Sequence, residues 1–493
     1  MTDRIPSSID VALDTMDARL YRSVNPDMKR RDMRIYRRHA AVYFVDGLVS
    51  TDFLQHYLLT PCMEHGDEHL EGDLEDAIRR LAPVSDVDRA DTFPDALREL
   101  MNGKAVLLAD GLACALCFDI RFFVRRGISP PLTESVINGP HQGFNESIRD
   151  NITMIRRMLP VASLIGDMVT VGDAIPTAVT VMYLADAVDE GLLARVKRRL
   201  SNIRVDHVLS IGALAQLMED RPYALLPQCC LTERPDRAVS FLLEGQIVLV
   251  MDGSPQILAV PVSIFHLLHT PDDASMRWQY GTLARVIRLL GALCTLLLPG
   301  LFVALTLYHP EALPVAMLTA IMESKAAVPL SIPAEMLLML LMLNLISEAA
   351  IRIPGMVGSS LGTVSGLILG QAAVNANLVH PLMIIVVAVA SLGNYALPDH
   401  SLTMAFRIGQ LVFLFAAWVG GVYGVMLAVC AVAIRVGGLR SFGSPYLAPV
   451  TPMRVHNPDL VVRMPIWRQR LRAWTGDVQH QQRARGRMRR WKE

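Results

Sequence analysis

Short runs of alternating apolar and polar residues fill the first 284 positions, and long uncharged stretches follow. AVYFVDGLVS (41–50) has the pattern of a strand ending in an Asp46-Gly47 turn, with a helix following over Thr51–Leu59. AVLLADG (105–111) and CALCFDIRFF predict a hairpin, and a Gly-Pro loop leads into a helix within 133–159. A strand is expected over 178–186, then an amphipathic helix over 191–200 with its basic residues outward, then a helix over 207–220. QIVLVMDGSPQILAVPV (246–262) reads as two strands around an Asp252-Gly253-Ser254-Pro255 turn. The pattern predicts an α+β domain over 41–284, with room for two subdomains split near Pro130–Pro160, behind a polar lead-in over 1–40.

The later stretches predict an all-α polytopic membrane domain over 285–435 and a basic tail over 436–493. About 20 apolar residues cross about 30 Å of hydrocarbon. That length suits 289–308, 334–353, 378–397 and the uncharged run 411–434, which has Gly420-Gly421 in its middle. Residues 313–322 are too short to cross and suit a re-entrant or interfacial segment. Between the second and third of these runs lies a glycine ladder: Gly355, then Gly358, Gly362, Gly366 and Gly370. Steps of four drift only about 40° around a helix, so these glycines share one side with Ser359 and Thr363. Each internal glycine costs about 1 kcal/mol in a water-exposed helix, whereas small residues let helices approach closely in a bilayer. The ladder is therefore a third span, serving as a helix-packing face or as a pore-type helix.

Charge sets the expected orientation. Residues 1–284 carry 29 basic and 39 acidic side chains, and residues 435–493 carry 13 basic and three acidic. Arg277, Arg285 and Arg288 before the first span, and the RARGRMRR run (483–490) after the last, place both ends on the cytoplasmic side. The polar N-terminus has no apolar signal run, which agrees. Two ends on one side demand an even number of crossings. The five strong segments are odd, so one is re-entrant or one run is split. The basic tail suits anionic lipid headgroups better than nucleic acid, although Trp474 and Trp491 lie among its arginines.

Candidate chemistry is sparse. Glu348 and Arg352 sit four apart at the end of the second span, as an intramembrane charge pair that neutralises itself or guards an ion path. Glu323 and Glu335 are expected to meet headgroups or water, and Arg407 to snorkel. Cys114 and Cys117 form a CxxC inside a strand-like run, which suits buried thiols, and His65 and His69 suit a solvated face. There is no phosphate-binding loop, dinucleotide fingerprint or nucleophile elbow in the sequence. The expectation is a protein that is not an enzyme and uses no cofactor or metal.

Three stretches carry a family resemblance. The run 231–262 resembles the signature of the A subunits of bacterial spore germinant receptors, the GerA family, through Glu233, Arg234, Pro235, Asp236, Glu244, Gly245, Asp252, Gly253 and Pro255. A second soluble signature is similar through Gly139, Pro140, Gly143 and Phe144, and the membrane segment from Glu348 to Pro381 through Gly370-Gln371-Ala372-Ala373-Val374. Ser347, Asn344, Ala350 and Met158 depart from the pattern. The length also suits the related stage V sporulation protein AF, which shares the A-subunit fold. The resemblance implies a spore inner-membrane subunit that acts in germination and oligomerises into a channel for monovalent cations. It implies partners too: a transporter-like B subunit and a lipoprotein C subunit.

Overall fold

The computed structural model describes residues 3–70, 72–84, 86–121, 131, 134, 136, 138–325, 328–352, 366, 368–451 and 461–469. Two five-stranded antiparallel sheets organise the first part. The first runs β1 (Met28–Ile35), β2 (Arg38–Val45), β4 (Ala105–Ala109), β5 (Ala115–Phe118), β3 (Val87–Ala90). The second runs β6 (Leu164–Val171), β7 (Thr177–Leu184), β9 (Ile247–Met251), β10 (Ile257–Val260), β8 (Cys230–Thr232).

Both faces of each sheet are covered, which is why the central strands read as unbroken apolar runs. In β2, Ala41, Tyr43 and Val45 meet the helices Ile9–Arg19 and Phe93–Met101, while Ala40 and Val42 meet Leu54, Leu58 and Ile78 on the other face. The expected polar lead-in is part of this first sheet. Its helix buries Ile9, Ala12, Leu13 and Met16, the spacing of one helical stripe. β1 hid from the sequence pattern because it is an edge strand, where outward Lys29, Arg31 and Arg34 guard against stray pairing. A buried clasp joins the units: Arg156, 3% exposed, donates to Asp27 Oδ2 at 2.6 Å, to Asn25 Oδ1 at 3.2 Å and to Leu164 O at 3.2 Å.

Among the described residues, three helices are long and apolar enough to cross a membrane: Trp278–Tyr308, Ile332–Ala350 and His400–Gly437, with Pro381–Tyr395 shorter. Residues 315–325 form a short helix between the first two. The last of the three is folded in half. Gly421 has φ +56° and ψ −142°, non-helical values inside the 38-residue element. Leu402 near its start and Leu439 beyond its end lie in one apolar cluster with Val248 and Val250 of β9. Its tip meets the far end of the first long helix, where the Tyr308 hydroxyl donates to Trp418 O at 2.6 Å. The expected single run over 411–434 is therefore corrected to a helical hairpin, and glycine is what permits it: a left-handed φ with no side chain to accommodate.

The hairpin returns the chain to the second sheet. The strand pair Arg440–Ser441 and Ser444–Pro445 docks there, with Ser441 Oγ donating to Gln228 O at 2.6 Å and accepting from Val262 N at 3.0 Å. Further along, Arg463 donates to Met276 O and Ala274 O, at 2.8 and 2.9 Å. The α/β domain and residues 439–446 thus share one end of the helical layer. Ser347, before the ladder, and Gly370, its last rung, lie at opposite ends of Pro381–Tyr395: Ser347 Oγ is 3.3 Å from Tyr395 OH, and a Cβ on Gly370 would be 3.9 Å from Ile384. Residues 353–365 lie outside the described residues.

A valine at Gly421 is expected to destabilise the hairpin by about 1–2 kcal/mol through backbone strain and about 1–3 kcal/mol through overpacking, because its Cβ would stand 3.0 Å from the Tyr308 ring. A valine at Gly420, which has open space and no positive φ, is the control, with a change within about 0.5 kcal/mol. Thermal unfolding of the detergent-purified chain measures both. Equal losses would mean that the turn places no special demand on Gly421.

Candidate coupling junction

The two soluble signatures meet at the edge of the second sheet. β8 ends at Thr232, and Arg234 caps the helix Pro235–Leu243, with proline at the first helical position where no N–H is needed. Arg234 is 1% exposed. Its guanidinium forks onto Asp236, at 3.0 and 2.7 Å, and donates to Glu134 O at 3.3 Å and Pro140 O at 3.0 Å. Asp236 in the first turn also suits the positive end of that helix. Gly139, beside the guanidinium, has φ +139°, a backbone conformation that side chains rarely adopt. Gly143 and Phe144 are buried beside it, and Phe144 N donates to Glu233 O at 2.8 Å. Gln256 joins the set by donating to Glu233 Oε1 at 3.2 Å.

The 252–255 turn serves a different helix. Asp252 Oδ1 accepts from Ile148 N at 3.3 Å, at the start of Ile148–Met158, and Gly253 N donates to Glu146 O at 2.8 Å. Asn151, fully buried, reaches Ser254 O, so Pro255 leaves a turn pinned from below. Gly253 and Gly245 both have positive φ, as their turns require. Glu244 Oε2 lies 3.3 Å from His266 Nε2.

From this cluster a chain of polar contacts runs into the first long helix. Arg237 pairs with Glu134 and donates to His266 O at 3.0 Å and His269 O at 3.4 Å. Next comes the short helix Pro271–Ser275, whose Asp273 is 1% exposed. Asp273 accepts from Arg285 at 3.2 Å, from Arg288 at 2.7 Å on each oxygen, and from Thr270 N at 3.3 Å. Burial alone would raise this carboxyl, but the hydrogen bonds and charge of Arg288, with the charge of Arg285, hold it down at about 2. Asp399 caps the His400–Gly437 helix through Leu402 N at 2.8 Å. The β8 edge is thereby joined by polar contacts to the foot of the first long helix.

The sequence pointed to Arg234, Asp236, Gly139 and Pro140, but not to Glu134, Asp273 or the two arginines as their partners. Asp273 had a local signal, the Thr270-Pro271-Asp272-Asp273 run that forms a capping box. Glu335 corrects an expectation. Instead of meeting water, it is 1% exposed and accepts from His380 N at 3.2 Å, because Phe302 and Met383 close over it. Glu348 is exposed on Ile332–Arg352, and the side chain of Arg352 lies outside the described residues, as do Gly355, Gly358, Ser359, Gly362 and Thr363. Cys114 and Cys117 are buried, and burial pushes the Cys117 thiol up to about 12.

A two-sheet domain hydrogen-bonded into the foot of an apolar helical layer defines a membrane protein that couples a folded domain to its spans. The chain belongs to the GerA family: the profile described as Bacillus/Clostridium GerA spore germination protein matches residues 15–474. That match begins within the first helix and takes in Arg463. Spore germination protein GerLA of Bacillus cereus is 34% identical over 412 residues, 84% of each chain. Spore germination protein B1 of Bacillus subtilis (strain 168) is 32% identical over 430 residues, 87% of this chain and 89% of the relative. A crystal structure of the N-terminal domain of the A subunit of the Bacillus megaterium spore germinant receptor GerK3 aligns with 53% of this chain and 97% of its own, at TM-score 0.42 and 26% identity.

Proposed function

We propose that this chain is the A-type subunit of a germinant receptor in the spore inner membrane, with its α/β domain and basic tail in the cytoplasm. Copies assemble around an axis lined by the ladder helix, forming a gated path for monovalent cations. A transporter-like B subunit senses the nutrient, and a lipoprotein C subunit completes the complex. The observation that carries this reading is the polar route from the β8 edge through Arg237 and Asp273 to Arg285 and Arg288, which a gated assembly needs and a passive anchor does not. The ladder supports it as well. Among the described residues, a Cβ on Gly366 would have no neighbour within 4 Å. A small residue left open at that position is free to face an axis between copies. Apolar residues beside it can gate by dewetting.

A second reading is a non-conducting scaffold that couples subunits, or an accessory channel of the stage V protein AF type. It is favoured by Gly370, whose missing side chain brings the chain against Ile384 as ordinary packing does. Potassium flux through the reconstituted full chain, with and without Gly362→Leu, separates them. Wild-type flux that the leucine blocks, with oligomers intact, supports the pore. Intact wild-type oligomers without flux, or flux unchanged by the leucine, would sink it.

A further inference from the structure

A cavity of about 720 Å³ opens where the α/β domain meets the folded helix, within the range of about 300–1,000 Å³ typical of ligand sites. Leu296 of the first long helix, Phe406 and Phe413 of the first leg of the hairpin, and Val432 and Val436 of the second leg give it apolar walls. Its remaining wall is the 220–226 loop, which is built rather than loose. Gln228 is fully buried, and its side-chain amide accepts from Arg221 N at 3.1 Å and donates to Arg221 O at 2.7 Å. On that loop Tyr223 is fully exposed and Leu225 half exposed, the amphipathic combination favoured at a membrane interface.

The charges around the cavity are unequal in their availability. Asp220 is taken up by Arg199 and by Gly443 N, at 3.0 Å for the latter. Arg221 and Arg435 are exposed, and neither guanidinium has a hydrogen bond or ion pair among the described residues. An apolar slot with two free cations at the domain end of the spans matches an anionic amphiphile whose chain lies inward. We propose that this cavity holds one acyl chain of an anionic phospholipid, with its phosphate paired to Arg221 and Arg435. The site is separate from the basic tail and does not depend on whether the assembly conducts.

Native mass spectrometry of the full chain, purified from membranes with equal phosphatidylglycerol and phosphatidylcholine, tests this. The wild type is expected to retain phosphatidylglycerol preferentially. Arg221→Gln and Arg435→Gln should each lower that preference about fivefold, and Ala431→Trp, at an exposed lining position, should remove the lipid without changing the oligomer. Val432→Phe replaces it if the tryptophan variant does not fold. Equal retention of both lipids by the wild type overturns the proposal. So does an undiminished preference in the double glutamine variant, which would assign the lipid to the tail. A cavity-filling variant that changes oligomer mass but not lipid content also overturns it, and makes the cavity an interface between copies.

Discussion

Replacing Asp273 with alanine is expected to destabilise the detergent-purified full chain by about 3–5 kcal/mol, because Arg285 and Arg288 are left beside each other without their shared carboxylate. Thermal unfolding measures the loss. A second arm uses acid. The folded carboxyl lies at about 2, below its ordinary 3.8, so its contribution is complete above the ordinary value and is lost as pH falls toward 2. At about 1.36 kcal/mol per unit this amounts to about 2 kcal/mol. The wild type should therefore lose stability between pH 4 and pH 2 more steeply than Asp273→Ala. Parallel pH curves would show that the carboxylate is not what fastens the helix.

Arg234→Ala should cost a similar amount, about 3–5 kcal/mol, since Asp236 and the Glu134 and Pro140 carbonyls all lose a buried donor. Lysine is the informative comparison. It restores the charge but not the planar fork that reaches four acceptors at once, so it should recover less than half of the loss. Hydrogen exchange should quicken in the helix Pro235–Leu243 in both variants. Full recovery by lysine would reduce the site to a simple charge contact.

These two residues mark how far the sequence could be read. The 252–255 turn was legible because turn chemistry works within four residues, whereas Arg234-Pro235-Asp236 stood out through the family resemblance alone. Glu134, which holds Arg237, lies 103 residues away from it, and nothing local advertises the pairing. The edge strand β1 was hidden by its own charges, since its outward arginines carry the polar signal of a loop. The fold in the last helix was visible only as Gly420-Gly421 inside an apolar run, a pair that packing contacts explain equally well. Glu335 was misjudged because position along a span does not tell which way a side chain faces. Among the described residues, one tight contact in the layer falls at Gly291 and Gly393, where a Cβ on Gly393 would strike Gly291 O and Thr295 Oγ1. Neither belongs to a repeat that draws the eye.

The docking of residues 439–446 on the second sheet also orders events during synthesis. Gln228 and Val262 find a partner in Ser441, and Ile264 N donates to Tyr446 O at 3.1 Å. These contacts come from chain that leaves the ribosome after the last span. The α/β domain can collapse early, but it is sealed only when every helix has been inserted and the hairpin has returned its end to the starting side. A missed or inverted insertion leaves that sheet face unsealed and its apolar cluster open. Correct threading is thus written into the domain as a final closure.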